Sequence, residues 1–274
     1  MNARNWAPFK IGNDQYFVVA NYIGETCPIF RYDRNEDKFK NQSMGVECKE
    51  TVDLKPFKLN GVQHIVVANH EDGQPVVVWM WNGKRFTKRQ EINITATYVE
   101  VFDVNGNTFL AISGSNQGPY VFLHKWNGKK FSLSQRLFTG VRPYEIAALD
   151  AGQDEFFCIA TMGTVQGVRT SILLLMKWNG NEFVSFQNIT SYGARRITAI
   201  SSLMGKQTAY LAVINYFKKP EIYYWVGGSS SQFEKLQEID AKSARDVCFF
   251  EMGQNVYMLM ASRKHIEIFR GEKV

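Results

Sequence analysis

The 274-residue sequence is poor in the features that mark most enzymes, membrane proteins and disulfide scaffolds. It has four cysteines, four histidines and seven prolines. No apolar run approaches the ~20 residues needed to cross a bilayer as a helix, so no membrane insertion is expected. Met1-Asn2-Ala3-Arg4 is followed by no apolar stretch, so no signal peptide is expected and the chain reads as intracellular or as a mature or excised extracellular piece. Gly-x-Ser-x-Gly, His-Glu-x-x-His and Walker-type loops are all missing. His64, His70, His124 and His265 share no spacing. Catalytic residues, a metal and a cofactor are therefore not expected, and the chain is expected not to be an enzyme. Lys plus Arg exceed Asp plus Glu by 32 to 26, a net charge of +6. That balance suits an acidic partner surface but is too slight to point to nucleic acid.

What the chain does have is aromatic residues, 14% of the total, at repeating positions. Trp126-Asn127-Gly128-Lys129-Lys130-Phe131 leads to Gln135. Trp81-Asn82-Gly83 with Phe86 and Gln90, and Trp178-Asn179-Gly180 with Phe183 and Gln187, repeat it in register. Trp225 with Gly227 and Gly228, then Phe233 and Gln237, is a longer version. Each copy reads as a strand ending on Trp, a two-residue Asn-Gly turn of type I′, and a return strand starting near Phe. A fixed-period repeat decides the architecture before any single segment does.

Six copies follow one ruler. Phe9, Phe57, Phe102, Leu149, Leu203 and Phe250 form one column; Tyr16, His64, Phe109, Phe156, Tyr210 and Tyr257 form a second, seven residues later. A third column is small and mostly polar: Asn21, Asn69, Gly114, Thr161, Asn215 and Ser262. The Trp column extends to Tyr32 in the first copy and Phe269 in the last. Each copy divides into four short runs, a to d; run d alternates as a strand with one wet face should, and run b is apolar on both faces. Helical periodicity is sustained nowhere. Four-stranded units of this length predict an all-β fold, a β-propeller of about six blades, with seven as the alternative. One propeller domain over 1–274 is expected, with approximate repeats 4–48, 52–95, 97–141, 144–194, 198–240 and 245–274. The last copy has no run d: either that blade has three strands, or a short N-terminal strand completes it, or a piece is missing.

Several smaller features have a structural reading beside a functional one. His64, in an aromatic column, reads as a buried core histidine before a metal ligand. Asp103-Val104-Asn105-Gly106 reads as a turn between runs a and b before a calcium loop. The pairs Lys84-Arg85, Lys129-Lys130 and Lys218-Lys219 read as solvated turns before a polyanion site. Cys27 and Cys48 fall in two loops of one repeat, so a disulfide between them and two separate thiols both stay open; Cys158 and Cys248 read as buried small hydrophobes. Asn41, Asn93 and Asn188 open glycosylation sequons near the ends of run d or in the d–a connections, which favours an extracellular location.

The consensus of run a, Tyr/Phe-Leu-Ala-Val in run b, and Trp-Asn-Gly-x-x-Phe-x-x-x-Gln across runs c and d resembles the EAR repeat, also called the EPTP or epitempin repeat. Val99 to Leu137 and Ala199 to Ile239 resemble it most, and the first copy departs by placing Tyr32-Asp33 where others have Trp-Asn. The resemblance implies a β-propeller in a secreted or cell-surface protein that binds other extracellular molecules. Members include the leucine-rich glioma-inactivated proteins, which add leucine-rich repeats absent here. The expected partner is an extracellular protein, with a cell-surface glycan as the alternative. The b–c loops differ most between copies, and variable loops on a rigid scaffold are where binding concentrates. The candidate ligand-binding residues are therefore Tyr22, Asn69, His70, Asn116, Tyr144, Arg195, Arg196, Asn215, Tyr216 and Phe217. In the lectin alternative, the small polar column at the end of run b would line repeated sugar pockets.

Overall fold

The computed structural model describes residues 2–115, 117–152, 154–165, 168–201, 209–227, 231–241, 244–252, 255–262 and 264–271. Among these there is no helix. The fold is an all-β propeller of six repeated antiparallel sheets, the blades, and the chain divides into two compact units, 1–138 and 139–274.

Unit 1 holds three four-stranded blades. Blade 1 runs β1 (Ala3–Ile11), β2 (Asp14–Asn21), β3 (Thr26–Asp33) and β4 (Lys38–Glu47). Blade 2 runs β5 (Thr51–Leu59), β6 (Val62–Asn69), β7 (Val76–Trp81) and β8 (Phe86–Ile92), and blade 3 runs β9 (Ala96–Val104), β10 (Asn107–Gly114), β11 (Tyr120–Trp126) and β12 (Phe131–Phe138). A single sheet cannot bury two apolar faces, so blades stack. Phe9, Tyr16, Val18 and Ile29 of blade 1 pack on Leu54, Ile65, Val67, Trp79 and Phe86 of blade 2. The other face of blade 2, with Val66, Ala68 and Val78, packs on Val99, Leu110, Ile112 and Phe131 of blade 3. Each aromatic of this size buries ~150–250 Å² when covered, which makes these columns the main cohesive surface.

Unit 2 follows the same plan. Blade 4 comprises β13 (Pro143–Asp150), β14 (Glu155–Thr161), β17 (Ile172–Trp178) and β18 (Phe183–Thr190), with a small hairpin β15 (Gly163–Val165) and β16 (Val168–Thr170) inserted between its second and third strands. Blade 5 comprises β19 (Ala194–Ser201), β20 (Ala209–Asn215), β21 (Glu221–Val226) and β22 (Gln232–Glu238). Blade 6 has three strands among the described residues: β23 (Ala244–Met252), β24 (Asn255–Ser262) and β25 (Ile266–Arg270). Phe156, Cys158 and Leu175 of blade 4 pack on Ile197, Leu211, Val213 and Phe233 of blade 5. Ala212, Ile214 and Ile222 then pack on Val247, Met258 and Met260 of blade 6.

The repeat motif acts differently from its sequence reading. The Asn-Gly pairs after Trp are not two-residue type I′ turns. Trp81 pairs with Phe86, Trp126 with Phe131 and Trp178 with Phe183, leaving four-residue loops. Only the glycine has positive φ, 95° at Gly83, 91° at Gly128 and 101° at Gly180. The Asn side chain closes the loop as an Asx turn: Asn127 Oδ1 accepts from Lys129 N at 3.0 Å and Lys130 N at 2.9 Å. Asp33 does the same for Asn35 N and Glu36 N, which explains how blade 1 tolerates Asp where other copies have Asn. Type I′ geometry belongs instead to the a–b hairpins, where Asn60-Gly61 has φ of 50° and 78° and Asn105-Gly106 has 47° and 73°.

The distant glutamine of the motif ties neighbouring blades. Gln90 Nε2 donates to Phe131 O and Gln90 Oε1 accepts from Phe131 N, both at 2.8 Å. Gln187 and Phe233 repeat this clasp in unit 2 at 2.9 and 2.8 Å. A primary amide presents one donor and one acceptor side by side, matching a strand's own N–H and C=O. Two column assignments shift. Ile200, not Leu203, stands opposite Tyr210, and Leu203 lies outside the described residues. Phe269 stands two residues short of the Trp position, because Arg270 is the residue opposite Tyr257.

The innermost strands carry a second set of ties. Every innermost strand has a register shift near its start, as between Thr51 and Asp53 or Ala194 and Arg196. Just past it, Asp53 accepts from the Asn5 side chain on one side and from Val99 N on the other at 3.1 Å. In unit 2 the equivalent Glu145 accepts from Ile197 N and from Arg196 Nη1, both at 2.9 Å, while Arg196 Nε donates to Asp246 at 2.7 Å.

Candidate binding face

In each of the first five blades the b–c loop meets the d–a connection, because the first residue after strand b donates to a residue before strand a. Tyr22 N bonds Asn2 O, His70 N bonds Glu50 O, Ser115 N bonds Thr95 O, Met162 N bonds Arg142 O and Tyr216 N bonds Gly193 O. The small polar column sits at this junction and holds it. Asn69 Oδ1 accepts from Lys49 N and Thr51 Oγ1 while its amide donates to Pro75 O. Asn215 Oδ1 accepts from Tyr192 N while its amide donates to Lys219 O and Glu221 Oε2. Thr161 and Ser262 bond their own loops in the same way. Asn69 and Asn215 are buried. This corrects their expected role: their polar atoms are spent holding loops, and no repeated sugar pocket is formed from them.

The remaining candidates fall at three places. Tyr216 and Phe217 project from the b–c loop of blade 5, 65% and 52% exposed, with ring centroids 4.8 Å apart in an edge-on arrangement. Their backbones are held on both sides, by Tyr216 N to Gly193 O at 2.8 Å and Phe217 N to Tyr192 O at 3.1 Å. Phe217 also lies so close over Gly193 that a Cβ there would come within 3.0 Å of its ring. Tyr192 joins the cluster, with Lys218 Nζ 3.3 Å from its ring centroid, a cation–π contact. Lys219 pairs with Asp240 at 3.1 Å. Tyr192 and Lys218 were not among the expected site residues; the local bonds of Asn215 bring them in.

Tyr144 and Arg195 occupy the register shifts at the starts of β13 and β19, and Arg245 holds the equivalent place in β23. Arg196 does not belong with them. Its guanidinium lies between Glu145 and Asp246 and only 20% of its side chain is exposed, so the expected Arg195–Arg196 fork is corrected to one arginine held internally and one at the register shift. In unit 1, Tyr22 stacks under the Arg4 guanidinium at 4.4 Å, and His70 is half-buried. Asn116 lies outside the described residues.

The other singled-out groups also have definite places. His64 is buried, donates from Nδ1 to Val62 O at 2.9 Å and stacks on Phe57; burial holds its pKa below the usual histidine value. Asp103 accepts from Thr108 Oγ1 in its a–b hairpin. Cys27 and Cys48 are buried free thiols hydrogen-bonded to one another, which with burial pushes the Cys27 thiol far up. Cys158 is fully buried, but Cys248 is exposed, contrary to expectation. Asn41, Asn93 and Asn188 are all exposed; Asn41 and Asn188 lie within the run d strands β4 and β18, and Asn93 follows β8. Glu155, opposite Asp150 in the a–b hairpin of blade 4, is pushed up to about 7 by burial and by that neighbour.

Comparison with known proteins supports the repeat reading. The EPTP domain model matches residues 1–33. Mouse leucine-rich repeat LGI family member 3 is 23% identical over 255 residues, and human member 2 is 22% identical over 260, each spanning 93% of this chain. The likeness to EPTP repeats thus rests on one matched segment and on distant relatives that span nearly the whole chain. The chain spans 37% and 45% of the length of those two relatives. Two crystal structures share the propeller fold, each of a putative 6-phosphogluconolactonase: that from Bacteroides uniformis (TM-score 0.67, 15% identity, 98% of this chain and 80% of that one) and that from Bacteroides fragilis (0.65, 17%, 99% and 80%). These correct the expectation that the chain is not an enzyme. The fold is shared with proteins that bear an enzyme's name, so a propeller with short motifs missing is no ground for excluding catalysis.

Proposed function

We propose that this EPTP-repeat chain is an extracellular recognition module that engages a protein partner through the b–c end of its blades, with Tyr216 and Phe217 as the anchor. The observation that carries this reading is the pre-organisation of that pair. Two exposed aromatic rings cost apolar hydration while unbound, yet both are held by backbone bonds, the close approach to Gly193 and the Asn215 clasp. Rigid aromatic anchors lose little conformational entropy on binding, and hot spots are built from such residues. Lys218 beside them supplies positive charge at the edge of the patch. The extracellular location is supported by three exposed sequon asparagines and by the relatedness to the LGI proteins. A protein partner is favoured over a glycan because the recurrent amides that would bind sugar hydroxyls are buried in the loop clasps.

The test is to probe the labelled chain against an array of extracellular domains and, in parallel, a glycan array. Binding to one or a few protein domains that is lost in the Tyr216→Ala/Phe217→Ala variant supports the proposal. Saturable binding to one sugar class, competed by free monosaccharide and absent from the protein array, would refute it in favour of a lectin.

A further inference from the structure

The c–d loops of blades 2 and 3 carry charge that the fold does not need. Lys84-Arg85 and Lys129-Lys130 fill the last two places of loops that Asn82 and Asn127 close, and the closure uses only their backbone N–H groups. Blade 4 closes the same loop with Asn181-Glu182, whose N–H groups bond Asn179 in the same way. The cations are therefore no requirement of the turn. Lys10 and Lys58 stand one residue past Phe9 and Phe57, at equivalent places in the a–b hairpins. They line an open cavity of about 450 Å³ at blades 1 and 2, with Trp81, Asn82 and Gly83 in its wall. All six basic side chains are exposed, and none has an ion-pair or hydrogen-bond partner among the described residues. Other cations do: Arg31 pairs with Asp14 at 2.8 Å, Lys55 with Glu100 at 2.9 Å and Lys88 with Glu91 at 2.8 Å. Lys218 and Lys219 are likewise engaged, by the Tyr192 ring and Asp240.

The six groups belong to one end of unit 1. The blade 2 loop borders the cavity through Asn82 and Gly83, and Arg89, a few residues further on, reaches the blade 3 loop by donating from Nη2 to Lys129 O at 2.9 Å. Stacked sheets lie about 10 Å apart, so three blades spread these cations over roughly 20 Å. We propose that this end binds a linear sulfated polysaccharide, whose sulfates and carboxylates run along Lys10, Lys58, Lys84, Arg85, Lys129 and Lys130. Unpaired like charges held close together repel one another, and a dense linear anion relieves that repulsion across all three blades. A lone phosphate or carboxylate satisfies one loop at most. Nucleic acid fits less well: the cavity wall has one aromatic ring, Trp81, where single strands stack on several, and the described residues include no helix to enter a duplex groove. The site uses the a–b and c–d end of the blades, so it does not depend on the Tyr216–Phe217 anchor. Only the choice of a polysaccharide leans on the extracellular location proposed above.

Surface plasmon resonance of the full chain over immobilised heparin fragments of defined length reads the outcome. The wild type is expected to bind, with affinity falling more than about tenfold between about 50 and about 200 mM salt as counterions are released. Free monosaccharide does not compete, which separates this site from a lectin pocket. Lys84→Ser/Arg85→Ser, Lys129→Ser/Lys130→Ser and Lys10→Ser/Lys58→Ser each weaken binding by about tenfold with unchanged melting temperature, and each lowers the salt dependence. Lys129→Arg/Lys130→Arg, which keeps the charge, retains it. Lys49→Ser/Arg142→Ser removes the same charge from exposed d–a connections and changes the affinity less than about twofold. A wild type that does not bind heparin at about 50 mM salt overturns the inference. So do equal losses in all four serine variants, the mark of net charge alone. A single-stranded oligonucleotide or polyglutamate of matched charge that binds as tightly as heparin overturns the assignment of the ligand.

Discussion

The two ends of a blade follow different rules. At the a–b and c–d end, the same atoms recur: an Asx side chain closing a four-residue loop, a Trp–Phe pair, and beyond it a glutamine clasped to the next blade's Phe backbone. At the b–c end only the junction recurs, as the polar column residue tying loop to loop, while the loops beyond it differ in length and character. Blade 4 inserts a hairpin there and blade 5 raises an aromatic pair. The constant end supplies stability and register, and the junction lets the other end vary without loosening the sheet.

Breaking the constant end should cost most. Phe131 is fully buried where blades 2 and 3 meet, so Phe131→Ala is expected to lower unfolding free energy in urea by roughly 3–5 kcal/mol. At the opposite end, beside the register shifts, Arg196→Ala should cost about 3 kcal/mol, because it takes a cation from the buried Glu145 carboxylate. The loss should be smaller in Arg196→Lys, which keeps the charge but not the fork between Glu145 and Asp246. Gln90→Ala removes two backbone bonds between blades and is expected to cost roughly 1–2 kcal/mol, with faster amide exchange at Phe131 as the local sign. Asn127→Ala should cost about 1 kcal/mol and Asn127→Asp much less, since Asp33 already performs the same closure in blade 1. Equal losses in the Ala and Asp variants would show that the side-chain acceptor is not what closes the loop.

Most of the fold was legible in the sequence because the repeat is enforced by packing. Aromatic columns at fixed spacing can be satisfied only by stacked sheets, and runs b and d differ in pattern because one is covered on both faces and the other is not. What was not legible was geometry set by side chains. Trp-Asn-Gly resembles a type I′ hairpin, yet the Asn oxygen bonds forward to two N–H groups and lengthens the loop. The glutamine was visible only as a conserved offset within the motif, since its partner lies about forty residues away on the next blade. At the candidate site, Tyr216 and Phe217 could be singled out as aromatics in a variable loop. Asn69, Asn215 and Arg196 could not be separated from ligand-facing groups, because a polar residue that binds a loop and one that binds a partner look alike in sequence. Tyr192 was missed because it approaches the pair from the preceding connection, and Lys218, next to Phe217 in the same loop, because its contact is with that distant ring.

The central claim is that the Tyr216–Phe217 pair at the b–c end serves recognition and not stability. The most direct measurement pairs the unfolding free energy of the Tyr216→Ala/Phe217→Ala variant with its affinity for the extracellular domain captured by the wild type. The account predicts a stability change within about 0.5 kcal/mol, as for exposed side chains generally. Affinity should fall at least tenfold, about 1.4 kcal/mol. A variant that loses several kcal/mol of stability, or one that binds as tightly as the wild type, would contradict it.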